Sequence, residues 1–129
     1  VSYGPVKYMG ALWMSSMARK HPDIRFVTMS PGGTSGTAAI DSMAGPQRLL
    51  MKYIGMPMMN VFGMMHGLEA GAARYIDALN DDSYKSGVFY ASKGGKTTGA
   101  LVDQSTIFTD LGNVAFQDNA NEAIHRFIQ

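Results

Sequence analysis

Apolar and polar positions along this chain follow a pattern that predicts helices and strands in turn. Apolar residues recur at helical spacing after Pro5, and a proline is tolerated in the first turn of a helix. A first helix is therefore predicted from Tyr3 or Pro5 to Lys20. Residues 24–29 are apolar at most positions, which is typical of a parallel strand buried on both faces. Residues 68–79 show the helical period again and predict another helix.

Turn and capping residues mark shorter elements between these. Residues 38–43 are predicted to form one helical turn, and residues 46–54 a second helix that is interrupted at Gly55 or Pro57. The residues that follow, 58–66, are apolar on nearly every side. We therefore expect this part of the chain to be a set of short helical pieces.

The last third of the chain predicts a strand, a return and a helix. Residues 87–91 form the second predicted strand, and residues 99–103 a short extended segment that returns after the turn at 93–96. Asp118 or Asn119 is expected to cap a last helix. The pattern contains no internal repeat and no linker, so it predicts one α/β unit spanning residues 1–129.

The composition is that of one folded domain and excludes several classes of protein. Its 129 residues, 46% apolar and 16% charged, suffice for one hydrophobic core. The net charge is +1 with scattered Lys and Arg, so nucleic-acid binding is not expected. The absence of cysteine excludes thiolate metal sites and fits a cytoplasmic location. No apolar run reaches the ~20 residues of a membrane span, and the three histidines are too far apart to predict a metal site.

Tyr3 and Lys7 are the first candidates for chemistry. Four residues apart on a helix, they project from one face, one turn from each other. A cation near a phenol favours the phenolate, so the pair could exchange a proton with a substrate oxygen near neutral pH. The same spacing is common on ordinary exposed helix faces, and that interpretation stays open on these two residues alone.

A glycine-rich loop, residues 30–37, follows the first predicted strand. Ligands of α/β sheets bind at the carboxyl ends of the strands, which is where this loop is expected. The lysines of the turn at 93–96 could contact a phosphate, but no strand-to-helix phosphate loop surrounds them. A plain hairpin turn is predicted there.

The order of these motifs resembles the second half of a short-chain dehydrogenase/reductase. It consists of Tyr3-x-x-x-Lys7, a helix ending in Ala18-Arg19-Lys20-His21-Pro22, and a strand ending in Ser30-Pro31-Gly32. Residues 86–90 and the closing helical stretch are most similar to the branch that holds retinol dehydrogenases and protochlorophyllide reductase. The resemblance covers nearly the whole chain and implies the carboxyl-terminal part of a doubly wound, Rossmann-like parallel sheet.

The resemblance implies an oxidoreductase that uses NAD or NADP to interconvert a carbonyl and an alcohol, or to reduce a carbon–carbon double bond. Tyr3 is implied as the general acid or base. Lys7 is implied to lower the pKa of Tyr3 and to bind the ribose hydroxyls of the cofactor. The residues implied to contact the nicotinamide lie in the glycine-rich loop: Pro31, Gly32, Gly33, Thr34 and Thr37.

Some features of the family's pattern are different or absent here. Val6 stands where serine is frequent, and Gly36 stands where the family places a threonine. The family's dinucleotide-binding loop and active-site serine precede the tyrosine, whereas only two residues precede Tyr3. We therefore expect a carboxyl-terminal part that lacks the dinucleotide-binding first half and binds no NAD(P) by itself.

An alternative comes from a different class of protein, a non-catalytic α/β fragment that self-associates or pairs with its missing half. The first helix carries more apolar residues than one sheet face covers, and the family's corresponding helix packs against its copy. A homo-oligomer is expected in either case.

Methionine is the most unusual feature of the composition. Seven of the eleven methionines lie between Met43 and Met65. Their flexible thioethers could line a pocket for a small apolar substrate, since the family covers its substrate with this segment. They could instead fill a core or an oligomer contact, and we favour this interpretation because rows of methionines usually serve packing.

Overall fold

The computed structural model describes residues 3–35, 45–94 and 96–128, apart from the side chain of Tyr3. The helices and strands are α1 Tyr3–Lys20, β1 Thr28–Met29, α2 Gly45–Leu50, a π-helical segment Met51–Gly55, α3 Met56–Val61, α4 Leu68–Asn80, β2 Phe89–Ser92, β3 Leu101–Asp103 and α5 Val114–Ile128. Two 3₁₀ turns, Gln104–Thr106 and Thr109–Gly112, join β3 to α5. The helical turn predicted at 38–43 lies outside the described residues.

The three strands form one small sheet in the order β1-β2-β3. β1 runs parallel to β2, with Thr28 opposite Phe89, and β3 runs antiparallel to β2. The N–H of Thr28 donates to Val88 O at 3.2 Å, and that of Ser30 donates to Tyr90 O at 2.9 Å. The α/β class and the parallel pairing of the two predicted strands are confirmed, within a sheet that is mixed.

Helices cover both faces of this sheet. Phe89 packs against the cluster that α1 and α5 bury. Met29 pairs with the next residue of β2, so its side chain points to the opposite face, where it lies beside Tyr75 and Ala78 of α4. The described part of the chain is therefore layered, with α1 and α5 on one side of the sheet and α4 on the other.

The core lies between α1 and α5 and is built from small residues. Its buried apolar members are Ala11, Leu12, Leu111 and Ala120. Ser15 and Ser16 are also buried on the same face of α1. Ser16 donates to Asp118 Oδ1 at 2.9 Å. Small side chains let the two helices approach closely, while Val6 and Met9, two apolar residues of α1, remain exposed.

The strands are shorter than the sequence predicts. β1 covers Thr28–Met29 rather than residues 24–29, although its backbone bonds to the neighbouring segment begin at Phe26 O, which accepts from Gly87 N at 2.8 Å. The predictions 87–91 and 99–103 begin too early because Gly87 and Gly99 have φ of +80° and +92°. Those left-handed turns precede the strands and do not belong to them.

Two helix predictions also need correction. The helix that begins at Gly45 is not interrupted at Gly55 or Pro57, because a π-helical segment leads directly from α2 into α3. Pro57 lies in the first turn of α3, where a proline is tolerated. The last helix begins at Val114, not after Asp118 or Asn119. Its first turn is capped by Asn113 Oδ1, which accepts from Ala115 N at 3.0 Å.

Candidate active site

Tyr3 and Lys7 both lie in the first turns of α1. The side chain of Tyr3 is outside the described part of the chain, so the approach of its phenol to the lysine rests on the helical spacing of four residues. Lys7 is exposed. Pro5 stands between them in the first turn, where a helix needs no backbone donor. The backbone therefore meets the requirement of the predicted pair.

The glycine-rich loop leaves β1 at its carboxyl end, as expected, and folds tightly against two other segments. Gly32 has φ of +78°, and a side chain there would collide with Thr97 O and the Arg74 guanidinium. A side chain at Gly33 would collide with Met64 O. Both glycines are thus required by close approach within the chain itself.

Backbone hydrogen bonds fix the loop between the segments around His66 and Thr97. Gly33 N donates to Thr97 O at 2.7 Å, His66 N to Gly33 O at 2.8 Å, and Ser35 N to His66 O at 2.9 Å. His66 Nε2 lies 2.7 Å from Pro31 O. A carbonyl oxygen only accepts, so Nε2 carries the proton in this contact. The loop is consequently held along its length.

Arg74 joins the loops that follow β1 and β2. From α4, its Nη1 donates to Ser30 O at 3.1 Å, and its Nη2 donates to Ser92 Oγ at 3.0 Å and to Gly99 O at 2.8 Å. The residue is 7% exposed. One guanidinium thereby links both strand ends to the helix on that face of the sheet.

The acceptors around Arg74 in these contacts are neutral. Burial lowers the pKa of the Arg74 guanidinium, and the neighbouring phenols of Tyr84 and Tyr75 oppose that shift. An arginine nevertheless keeps its charge in a protein. The carboxyl edge of the sheet therefore contains a buried positive charge.

A cleft of about 400 Å³ lies beside this loop, between residues 62–64 and 96–99. Phe62 and Met64 form its apolar wall, and Lys96 lies on the other side. Thr97 Oγ1 donates to Met64 O, and Thr98 Oγ1 donates to Gly63 O at 2.5 Å. These bonds keep the two walls together, so the cleft could hold a small molecule that has both apolar and polar groups.

Four of the five loop residues that the sequence analysis implies as cofactor contacts lie in the described part of the chain. Pro31, Gly32, Gly33 and Thr34 lie together at the end of β1, with Thr34 Oγ1 3.5 Å from His66 Nε2. Thr37 lies outside the described residues.

The backbone N–H groups of Gly32 and Gly33 lie in the loop that is predicted to contact a nicotinamide. Gly32 N donates to Ser30 Oγ at 3.2 Å, and Gly33 N donates to Thr97 O. Both N–H groups are thus used within the chain. Pro31 and Thr34 are half-buried, so their accessible atoms, rather than these two N–H groups, would contact such a ring.

Sequence reasoning missed the parts that His66, Arg74 and Thr97 play. Arg74 carried a signal, because it shares one helix face with Gly71 and Ala78, and both of these are buried. An arginine on a face that is otherwise made of small residues predicts a buried polar contact. His66 and Thr97 carried no such signal, because their partners are more than 30 residues away in sequence.

Neither a metal centre nor a relative helps to identify the site. Among the described residues, no three His, Asp or Glu side chains are close enough together to hold a metal ion. Within the same residues, no helix is long and apolar enough to cross a bilayer. Comparison with known proteins gives no significant match to a family model, a curated protein or a solved structure.

Proposed function

We propose that this chain is the carboxyl-terminal part of a NAD(P)-dependent short-chain oxidoreductase that reduces a carbonyl, oxidises an alcohol or reduces a carbon–carbon double bond. The observation that carries the proposal is the order of elements. α1 holds Tyr3 and Lys7 in its first turns, β1 follows, and the Pro31–Gly33 turn leaves the carboxyl end of β1 beside a parallel neighbour. Ligands of α/β sheets bind at that edge.

In this proposal Tyr3 exchanges a proton with the substrate oxygen. Lys7 lowers the pKa of the Tyr3 phenol through its positive charge and donates hydrogen bonds to the ribose hydroxyls. The loop around Pro31 and Thr34 contacts the nicotinamide ring. A bound nicotinamide nucleotide supplies or accepts the hydride.

The cleft beside the loop is proposed as the place for the substrate. Phe62 and Met64 offer apolar contact, and the hydroxyls of Thr97 and Thr98 hold the opposite wall. Met64 belongs to the methionine-rich part of the sequence, which supports the pocket-lining interpretation of those methionines. The proposed substrate is therefore small, with its apolar part against Phe62 and Met64.

The open edge of β1 supports a missing first half. Thr28 and Ser30 bond to β2, so the N–H and C=O groups of Val27 and Met29 point away from it. We propose that a strand from a dinucleotide-binding half pairs there. Without that half, the pyrophosphate site of a doubly wound fold is lacking, and the chain alone binds no NAD(P).

The test begins with the parent reading frame and continues with turnover. A glycine-rich strand-turn-helix is expected roughly 140 residues before Tyr3, the span of one nucleotide-binding half. The full-length protein is then screened for oxidation of NADH and NADPH with a panel of small carbonyl compounds. A frame without that motif, or a folded full-length protein inactive on the whole panel, would contradict the proposal.

The pH–rate profile of the active protein tests the role of Lys7. In Lys7→Met, the apparent pKa of the profile rises, because the cation that favours the phenolate is gone. Lys20→Met, at the far end of the same helix, is the matched control and leaves the profile in place. An unshifted profile in Lys7→Met would remove the lysine from the mechanism.

The alternative function is a non-catalytic fragment that self-associates or pairs with its missing half. It is favoured by the apolar side chains that remain exposed along α1 and α4, such as Val6, Met9, Ile76 and Leu79. Turnover by the full-length protein separates the two functions, since only the first predicts it.

A further inference from the structure

The cleft between residues 62–64 and 96–99 has a positive charge on one wall. Among the described residues that line it, Lys96 is charged and the others are neutral. Lys96 is exposed, and within the described part of the chain it forms no ion pair. The described lining therefore carries a cation without a carboxylate to balance it.

A second positive charge lies behind the same wall. Gly99, which lines the cleft, accepts a hydrogen bond from Nη2 of the buried Arg74 at 2.8 Å. The other acceptors of this guanidinium are the carbonyl of Ser30 and the hydroxyl of Ser92. All three acceptors are neutral, and no described carboxylate pairs with Arg74. Because a buried charge is screened less than one in water, Arg74 adds to the positive potential in the cleft.

Other polar groups of the two walls are used within the chain. The N–H groups of residues 62–64 donate to the last carbonyls of α3 at 2.8 to 3.0 Å. The hydroxyls of Thr97 and Thr98 donate to carbonyls of the opposite wall. These donors are occupied, so we assign the polar contact of a ligand to the ammonium of Lys96.

We propose that the cleft binds a small aliphatic carboxylate, with its hydrocarbon part against Phe62 and Met64 and its anionic group at Lys96. An apolar wall and a cation then meet complementary ends of one molecule. A carboxylate carries the single charge that balances one ammonium. Phosphates are typically held by the N–H groups of a helix N-terminus, and no helix begins among the described lining residues.

This ligand gives the substrate of the proposed enzyme a chemical class, a keto acid or a hydroxy acid. The step from ligand to substrate rests on the proposed function. Binding of the carboxylate does not, because it depends on the cleft alone.

Ligand-observed NMR titration of the chain tests the binding. The probes are hexanoate and hexanamide, which share their length but differ in charge. Hexanoate is expected to bind about threefold to fivefold more tightly, as one ion pair at a partly exposed site allows, and to lose this advantage as salt is raised. Equal affinities, or no binding of either probe to the folded protein, would overturn the proposal. Tighter binding of hexyl phosphate than of hexanoate would also overturn it.

Charge variants locate the anion. Lys96→Met should remove the preference for hexanoate and leave the affinity for hexanamide in place, because only the charge is lost. Lys93→Met is the matched control: Lys93 is an exposed lysine of the same turn, but it does not line the cleft. If both lysine variants reduced the preference alike, the anionic group would not be at Lys96.

An apolar variant locates the hydrocarbon part. Phe62→Ser should weaken both probes by about fivefold or more, because the apolar wall is lost for each of them. Phe127→Ser is the control, since Phe127 is exposed near the end of α5 and should not affect either probe. Unchanged affinities in Phe62→Ser would contradict the assigned orientation.

Turnover by the full-length protein separates this inference from the proposed function. A keto acid, 5-oxohexanoate, is compared with its methyl ester, and kcat/KM is expected to be about threefold to fivefold higher for the acid. Equal values for the two would overturn this inference and leave the proposed function standing. Binding of hexanoate at Lys96 by a protein without any turnover would support this inference and contradict the proposed function.

Discussion

At the residue scale, the contacts of Arg74 decide how the two loops at the strand ends are held. Its buried guanidinium donates hydrogen bonds to the carbonyls of Ser30 and Gly99 and to the hydroxyl of Ser92. A guanidinium spreads its five donors over three nitrogens, and here Nη1 and Nη2 serve different acceptors, whereas a lysine ammonium has its three donors on one nitrogen. The geometry of the candidate site therefore depends on this side chain as well as on the backbone hydrogen bonds of the loop.

Arg74→Lys should destabilise the fold by about 2–4 kcal/mol, because buried acceptors lose their donors while a buried charge remains. Urea unfolding followed by circular dichroism measures the change. Arg126→Lys is the control, since Arg126 forms an exposed pair with Glu122 one turn away, and it should change stability by less than about 0.5 kcal/mol. Equal changes in the free energy of unfolding for the two substitutions would show that Arg74 does not hold the two loops together.

At the element scale, the packing of α5 on α1 is fixed by polar residues as much as by apolar ones. Arg19 Nη2 lies 2.7 Å from Asp118 Oδ1, and Arg19 Nε donates to Gln117 Oε1 at 2.9 Å. Ser16, fully buried on α1, donates to the same Asp118 oxygen. The carboxylate therefore joins both helices at one point.

The pH dependence of stability should reveal this contact. Hydrogen bonds from Arg19 and Ser16 hold the pKa of Asp118 below its ordinary value of 3.8. A depressed folded pKa means that the stabilisation is complete above the unfolded value and is lost as the pH falls through the folded one. The difference in unfolding free energy between wild type and Asp118→Asn should therefore shrink as the solution is acidified below 3.8.

Urea titrations at a series of pH values measure that difference. Asp23→Asn, which removes an exposed carboxylate after α1, is the matched control. A difference for Asp118→Asn that did not depend on pH would contradict the proposed contact.

Local sequence signals predicted which helices and strands form better than they predicted where each one begins and ends. Pro5 and the basic pair Arg19 and Lys20 correctly predict both ends of α1, because both are local effects on helix termini. Asp118 is of the capping type, yet its carboxylate bonds to α1, and Asn113 caps α5 instead. The choice between two capping residues depends on tertiary contacts, which local pattern does not contain.

The same distinction holds for the candidate site. The position of the glycine loop after β1 follows from the alternation of elements, so the sequence could predict it. The partners of that loop, His66 and Thr97, are long-range and could not be predicted. The sequence also offered only one reason for Gly33, contact with a ligand, whereas the structure supplies another in the carbonyl of Met64.

At the scale of the whole molecule, β1 is one of the two edge strands of the described sheet. A cleft of about 400 Å³ flanks it, lined by Arg25, Val27, Met29, Tyr75, Ala78 and Leu79. Unpaired backbone groups beside an apolar cleft favour the addition of another strand. This edge and the cleft beside it form the surface through which we expect the homo-oligomer to assemble.

The chain alone should therefore associate at micromolar concentration, as measured by sedimentation equilibrium. Val27→Lys should shift the equilibrium towards monomer, because a charged side chain on an edge strand opposes pairing. Val114→Lys, an equally drastic change at an exposed position of α5, is the control and should leave the association intact. A stable folded monomer of the unmodified chain would rule out association at this edge.

The central claim is that Tyr3 is the proton donor or acceptor of an oxidoreductase, and turnover by the full-length protein carrying Tyr3→Phe tests it most directly. Tyr8→Phe is the matched control on the same helix. Burial and the nearby Asp110 carboxylate raise the pKa of Tyr8, which makes it unsuited to the same role. We predict that Tyr3→Phe lowers turnover about 100-fold or more and that Tyr8→Phe keeps most of it. Near-normal turnover in Tyr3→Phe would contradict the account.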